Sequence, residues 1–216
     1  MNYESARRQM LSQQIRTWDV LDQRVLDTLK DTPRELFVPE SERDLAFADI
    51  EVPLAHQQCM MTPKVEARML QELAIEASDH VLEIGTGSGY LAACLSRLAS
   101  RVTSLEIYPD LSESAGASLA SAGIESVELR AEDATLASFE RKFDVIAVTA
   151  SVPEATSQFT DLLETGGRMF IVIGQAPVMQ ATLIRHLEDG GLSSKSLFET
   201  VLTPMINVDQ RKAFVL

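Results

Sequence analysis

The stretch Glu83-Ile84-Gly85-Thr86-Gly87-Ser88-Gly89-Tyr90 places glycines at alternate positions directly after the apolar pair Val81-Leu82. Glycines let a backbone turn sharply and come close to a ligand, and a helix that starts after them presents free N–H groups. The spacing is Gly-x-Gly-x-Gly, not the Gly-x-Gly-x-x-Gly of dinucleotide loops, and Glu83 adds an acid just before the turn. Glu106 ends the next expected strand, about 20 residues on, where a carboxylate can accept hydrogen bonds from both hydroxyls of a ribose. Glu132 and Asp133 follow the third strand, and a carboxylate there can accept a bond from an adenine amino group. Three acidic positions at three successive strand ends suit an adenosine ligand without a pyrophosphate, which the acid would repel. A tight turn with solvated acids beyond it would need the loop alone; the repeated acids favour a ligand.

These residues need a strand-turn-helix scaffold, and the surrounding pattern predicts one. Strands are expected over 81–84, 101–106, 126–130, 144–149 and 169–173, with helices over 90–98 and 112–122 between the first three. The 144–149 strand is apolar on both faces, as a central strand should be. Gly166-Gly167 reads as a helix-terminating turn, 181–187 as a further helix containing His186, and 197–202 as more strand. Upstream, 6–29 is helix-like but interrupted, with Leu11, Ile15, Val25, Leu26 and Leu29 on its apolar stripe. Pro33 breaks that pattern. Residues 34–63 read as an irregular cap over the domain's open edge, and 64–76 returns to helical spacing. The division is an N-terminal helical and cap segment, 1–77, packing on an α/β core, 78–216, as one structural domain.

Composition narrows the class further. At 216 residues, with 45% hydrophobic and 24% charged side chains, the chain resembles an average globular protein and not a disordered or fibrous one. No apolar run approaches the roughly 20 residues that span a bilayer, and the polar start lacks a signal-peptide core; the cytoplasm is the expected compartment, with no membrane partner. Cys59 and Cys94 are too few for a disulfide framework and have no metal-ligand spacing around them, so both are expected reduced and no metal is expected. A net charge of −13 without a Lys/Arg block argues against nucleic acid as a partner.

The loop Val81-Leu82-Glu83-Ile84-Gly85-Thr86-Gly87-Ser88-Gly89-Tyr90 also resembles the cofactor motif of protein-L-isoaspartate (D-aspartate) O-methyltransferases. Pro33-Arg34-Glu35-Leu36-Phe37-Val38-Pro39 is similar to that family's N-terminal signature, and Phe47-Ala48-Asp49 with Pro53-Leu54 to the segment after it. Phe143-Asp144-Val145-Ile146-Ala147-Val148-Thr149-Ala150 and Leu163-Glu164-Thr165-Gly166-Gly167-Arg168 resemble later motifs, and Leu202-Thr203-Pro204-Met205 is a weaker echo of a C-terminal strand. The resemblance implies a doubly wound, mostly parallel seven-stranded class I methyltransferase sheet, Rossmann-like, with an N-terminal helical and irregular extension. It implies S-adenosyl-L-methionine as cofactor and a protein or peptide carrying isoaspartate as acceptor. Glu83, Gly85, Thr86, Gly87, Ser88 and Gly89 would then border the cofactor, Glu106 its ribose and Asp133 its adenine.

One segment departs from the family. Gln57-Gln58-Cys59-Met60-Met61-Thr62-Pro63 stands where the family has a Gly-Gln-Thr-Ile-Ser-Gln-Pro type sequence, so Met61 replaces the active-site serine. A thioether cannot donate the hydrogen bond of a hydroxyl and fills an apolar pocket instead. Thr62 could supply a hydroxyl only with a shifted backbone, and Cys59 is a weaker donor than the threonine it replaces. Gln57 replaces a glycine, which bears on the path of the loop. Carboxylate acceptors are ionised at neutral pH and need no base; a phenol or alcohol would use one, for which His56 is the candidate. Asp49 is a further weak candidate, while Trp18, Phe37 and Phe47 are assigned no role. The readings left open are isoaspartyl repair with a replaced hydroxyl, methylation of a different and unknown small-molecule acceptor, and cofactor binding without catalysis.

Overall fold

A computed structural model describes residues 2–208 of the chain. At its centre is a seven-stranded sheet of β3 (His80–Ile84), β4 (Arg101–Glu106), β5 (Val127–Ala131), β6 (Phe143–Val152), β7 (Leu163–Gln175), β8 (Val178–His186) and β9 (Leu192–Glu199), in the order β5-β4-β3-β6-β7-β8-β9. The first five of these in space are parallel; β8 and β9 add an antiparallel hairpin at one side. Parallel neighbours need crossovers, and helices α4 (Tyr90–Leu98) and α5 (Pro109–Ser121) supply the first two. β3 and β6 are flanked on both sides and covered on both faces, so Val81, Leu82 and the run from Val145 to Val148 are fully buried.

Expected and observed elements coincide for α4 and β4, and lie within a few residues for β3, β5 and α5, whose start moves back to Pro109. Two expectations are overturned downstream. Gly166 and Gly167 lie inside β7 and end no helix; the helix before them, α6 (Ser157–Thr160), is a single turn. A Cβ on Gly167 would sit 2.8 Å from the Glu164 carbonyl, and pairing with β6 shifts register there, so the glycine permits a close backbone approach. Residues 181–187 are not helical: β8 pairs residue by residue with β7, and His186 sits at the strand end with Nδ1 3.1 Å from the Glu164 carbonyl. Ala181-Thr182-Leu183-Ile184 is buried on both faces, which erases the alternation that would have marked a strand. β9 lies earlier than expected, and Pro204 makes only an isolated bridge to Ser151.

The N-terminal segment packs on this sheet. α1 (Tyr3–Met10) runs into a π-type turn (Leu11–Ile15) and a 3-10 turn (Arg16–Trp18), and α2 (Gln23–Asp31) follows, capped by the Asp22 carboxylate accepting from the Arg24 N–H. β1 (Val52–Pro53) and β2 (Cys59–Met60) form a two-residue antiparallel ladder, and α3 (Pro63–Leu73) begins with proline at its first position, where no N–H is missed. Met10, Ile15, Leu29, Leu70 and Leu73 share one buried cluster with Val81 and Phe170 of the sheet. Burying each such side chain contributes about 1.5 to 3 kcal/mol, which holds the cap against the core. Trp18 meets Phe198 edge-on and Phe37 meets Tyr90, so these aromatics serve packing.

Candidate functional site

The chain leaves β3 toward β4 and β5 and later returns to β3's other side as β6, so loops on either side of β3 diverge. Open α/β sheets form ligand crevices at such a switch. A cleft lies there, walled by the glycine loop, the ends of β4 and β5, the β1–β2 ladder and residues 202–206.

Gly85 has φ +98, and a Cβ on it would lie 2.2 Å from Thr149 Oγ1. That hydroxyl reaches the carbonyls of Ile84 and Gly85 at 2.9 and 2.8 Å, tying the loop to β6. The Gly87 N–H donates to Glu106 Oε2 at 2.8 Å and the Tyr108 N–H donates to Oε1 at 3.1 Å. Glu106 therefore shapes the loop as well as the cleft wall. Ser88 Oγ accepts from the Tyr90 N–H at 3.3 Å, and Gly89 forms the N-cap of α4.

Glu83 is not at a strand end. It lies within β3, fully buried, and accepts a short hydrogen bond from the Ser104 hydroxyl, which is itself 2.6 Å from Thr86 Oγ1. Among the described residues its Oε1 has no partner, although the residue lines the cleft. Burial pushes Glu83 up to about 8 against the Ser104 bond, with Glu106 and Glu66 adding to the rise. Asp133 also lines the cleft, with Oδ1 accepting from the Thr135 N–H at 2.8 Å and Oδ2 from Asn207 Nδ2 at 2.7 Å. Burial opposes ionisation of Asp133, but the bonds from Asn207 and Thr135 outweigh it and lower its pKa.

Opposite the glycine loop, Met60 and Met61 are buried in the cleft wall. The Met61 carbonyl accepts from Arg34 Nη2 at 3.0 Å, and Arg34 also pairs closely with Glu66 and lies over the Tyr90 ring at 4.5 Å. Both members of the pair are almost wholly buried, and burial pushes Glu66 up to about 7 against the pull of Arg34. Sequence reading quoted Arg34 only as part of a signature and missed Glu66, because the pair spans 32 positions.

Met61, at the position of the absent serine, lines the cleft, and none of the three weak catalytic candidates, Thr62, His56 and Asp49, does. Thr62 Oγ1 is buried without a partner at the start of α3. Asp49 pairs with Lys64 at 2.7 Å. His56 stacks on Tyr108 with ring centroids 4.0 Å apart, and its Nε2 contacts the Asp110 carboxylate at 2.8 Å, outside the cleft. Gln57 keeps a left-handed φ of 59 without being glycine, so the loop retains a tight turn at a cost of roughly 1 to 2 kcal/mol.

The sequence also gave no sign that residues 202–207 fold across the cleft. The Ser151 N–H donates to the Thr203 carbonyl at 2.9 Å, its hydroxyl to that of Leu202 at 3.0 Å, and the Met205 N–H to the Ser151 carbonyl at 2.8 Å. Cys59 and Cys94 are free thiols. Among the described residues no group of three or more His, Cys, Asp or Glu is placed to hold a metal ion, and no helix is long and apolar enough to cross a membrane.

Comparison with known proteins follows the same lines. The profile of the protein-L-isoaspartate(D-aspartate) O-methyltransferase family matches residues 5–210. A protein-L-isoaspartate O-methyltransferase of Rhodopseudomonas palustris is 34% identical over 202 residues, covering 93% of each chain. Another, of Methanoculleus marisnigri, is 40% identical over 169 residues, covering 78% of this chain and 77% of its own. In structure, a Plasmodium falciparum protein-L-isoaspartate O-methyltransferase crystallised with S-adenosyl-L-homocysteine superposes with a TM-score of 0.81 over 95% of this chain and 98% of its own, at 20% identity. That likeness shows the shared fold.

Proposed function

This chain belongs to the protein-L-isoaspartate(D-aspartate) O-methyltransferase family, an S-adenosylmethionine-dependent O-methyltransferase by that membership, and from that premise we propose how its own residues divide the work. The glycine loop, Glu106 and Asp133 hold the cofactor: Gly85 and Gly87 give it close backbone approach, with Thr86 and Ser88 beside them, while Gly89 lies against Ala115 and lets α4 begin there. Glu106 takes the ribose hydroxyls. Asp133 keeps acceptor capacity for the adenine amino group beyond its bonds to Thr135 and Asn207, since each carboxylate oxygen has two lone pairs.

The observation that carries this reading is Glu83 Oε1, a buried carboxyl oxygen without a partner on the cleft wall. An orphaned acid in an acidic cleft fits a cationic ligand that gives it a counter-charge. When bound, S-adenosylmethionine supplies an activated methyl group on a sulfonium.

The acceptor is the free α-carboxylate of an isoaspartyl residue in a protein or peptide, whose side-chain carboxyl is taken up in the main-chain amide. It is already ionised at neutral pH, so the chain need supply no base, and none of its three histidines lines the cleft. What remains for the protein is alignment and exclusion of water. Met60, Met61 and Leu202 give an apolar wall, and Arg34 fixes the Met61 backbone from behind. The 1–77 segment contributes Met60 and Met61 to this wall, and the 78–216 core Leu202 and the cofactor side; residues 209–216 of that core lie outside the described part.

Calorimetric titration with S-adenosylmethionine, followed by transfer of a labelled methyl group to an isoaspartyl peptide, tests the proposal. Binding with transfer supports it. Binding without transfer assigns the chain a diverged acceptor, and absence of binding refutes the cofactor site.

A further inference from the structure

A carboxylate offers only acceptors, so its binding site must donate. Met61 cannot, and the Thr86 and Thr149 hydroxyls at the cleft are committed elsewhere. Thr86 is bound to Ser104, Thr149 to two loop carbonyls, Ser88 lies at the start of α4, and the Tyr108 ring is held under His56. The Gln58 amide donates to the His56 carbonyl. Thr203, on the strap that crosses the cleft, carries a further hydroxyl, and of these five hydroxyl-bearing residues it alone also borders a second space behind the strap.

Resting on the reading of the chain as an isoaspartyl methyltransferase, we propose that Thr203 supplies the hydroxyl that binds the acceptor carboxylate, in place of the hydroxyl absent at Met61. Among the described residues its side-chain partner is the Cys59 thiol, with Sγ 3.4 Å from Oγ1. Burial raises the Cys59 pKa and keeps this group a neutral thiol. Either group can be the donor in this contact; when the thiol donates to Thr203 Oγ1, the threonine proton is free for a carboxylate. A donor chain from Cys59 through Thr203 to the acceptor polarises in one direction, which strengthens its last bond.

The strap is rigid enough for the task. Thr203 is fixed by its carbonyl to the Ser151 N–H, and Leu202 and Met205 on either side are bonded to Ser151 as well. Preset donors lose little freedom when the acceptor arrives. Thr203 also belongs to two cavities at once. Behind the strap lies a second space, open to solvent and bordered by Glu51, Gly174 and Met179, and Leu202, Thr203 and Pro204 form the wall it shares with the main cleft. A polypeptide flanking the acceptor residue has room there while its carboxylate reaches past Thr203 into the main cleft.

The test compares the parent with Thr203→Val, which keeps shape and removes the hydroxyl, and Thr203→Ser, which keeps the hydroxyl. Three readouts are taken: calorimetric affinity for S-adenosylmethionine, KM and kcat for an isoaspartyl peptide, and affinity for that peptide in the presence of S-adenosylhomocysteine. Removing a hydrogen bond to a charged group should raise KM and weaken peptide binding about tenfold or more in Thr203→Val. Cofactor affinity should stay at the parental value, and Thr203→Ser should keep peptide affinity. Adding Met61→Ser to Thr203→Val should recover peptide binding, because the hydroxyl returns on the opposite wall; a purely structural role for Thr203 would not predict this rescue. Thr203→Ala gives the same comparison if valine crowds the strap. Parental KM and peptide affinity in Thr203→Val would overturn the proposal and leave the isoaspartyl reading standing. A parent that binds cofactor but methylates no isoaspartyl peptide would overturn both.

Discussion

Glu83→Gln should make the cofactor-free protein more stable at neutral pH, and the gain should grow with pH. The Glu83 carboxyl moves from 4.5 in the unfolded chain to about 8 in the fold, driven by burial, with the Ser104 bond opposing. The folded state therefore holds this proton more tightly than the unfolded state. Stability from that linkage is complete below about pH 4.5, declines as the pH rises, and is gone above about pH 8. At pH 7 the difference spans roughly 2.5 pH units, or on the order of 3 kcal/mol. For a chain of this size that corresponds to about 6 to 12 °C in Tm. Glutamine keeps an acceptor for the Ser104 hydroxyl and has no proton to lose. Thermal unfolding of parent and variant from pH 5 to pH 8.5, without cofactor, should give matching Tm values at the acid end and a widening gap above it. Subtracting the two curves cancels every other titrating group. Parallel curves would show that Glu83 carries its ordinary pKa, and the argument for an orphaned acid awaiting a cation would fail. Saturating S-adenosylmethionine should narrow the gap, because the ionised parent gains a counter-charge that the variant cannot use.

Glu106→Ala should weaken S-adenosylmethionine binding by about 1.5 to 3 kcal/mol in calorimetry, since a charged acceptor is lost and the Gly87 N–H is released. Gly85→Ala should cost more than its size suggests, because the new methyl meets Thr149 Oγ1 at 2.2 Å and φ is +98; loss of binding together with a lower Tm is expected. Arg34→Met should destabilise the fold by about 3 to 5 kcal/mol by stranding Glu66, and adding Glu66→Leu should recover much of it, as read by denaturant unfolding. His56→Ala should change stability by less than about 0.5 kcal/mol and leave the pH profile of turnover unchanged, since the ring lies outside the cleft.

Legibility in the sequence follows the range of the interactions. The glycine loop, α4 and β4 were readable because their signals are local: backbone geometry in one, helical and alternating burial in the others. β8 was misread because a strand buried on both faces loses its period, and its identity comes from β7 across a hairpin. Glu66 and Thr203 carried no local mark. Glu66 matters through Arg34, and Thr203 through Cys59 and Ser151, partners 144 and about 50 positions away. That Thr62 does not replace the hydroxyl missing at Met61 has a simpler cause. Successive side chains in extended backbone point to opposite sides, so a hydroxyl one residue along from Met61 turns from the cleft toward the body of the protein.

The acids at the cleft also show why a residue type read from sequence does not settle its chemistry. Glu83, Glu106 and Asp133 look equivalent as carboxylates following apolar strands. In the fold they are in three different states of solvation and bonding. Asp133 sits at the partly exposed end, where two hydrogen-bonded neighbours lower its pKa and keep its charge. Glu106 has a main-chain N–H on each oxygen. Glu83, deepest, has one hydroxyl, one bare oxygen and two other acids raising its pKa. A neutral adenosine would leave that deepest group as it was, whereas a cation would take its proton off and bind the resulting charge. The gradient from charged rim to neutral floor therefore favours a ligand with its positive charge at the Glu83 end. Loss of the methyl group removes the sulfonium charge, so the same gradient weakens the hold on the product relative to the substrate, most strongly at and above about pH 8, where Glu83 is already ionised, and less as the pH falls and the bound cation must itself drive the proton off.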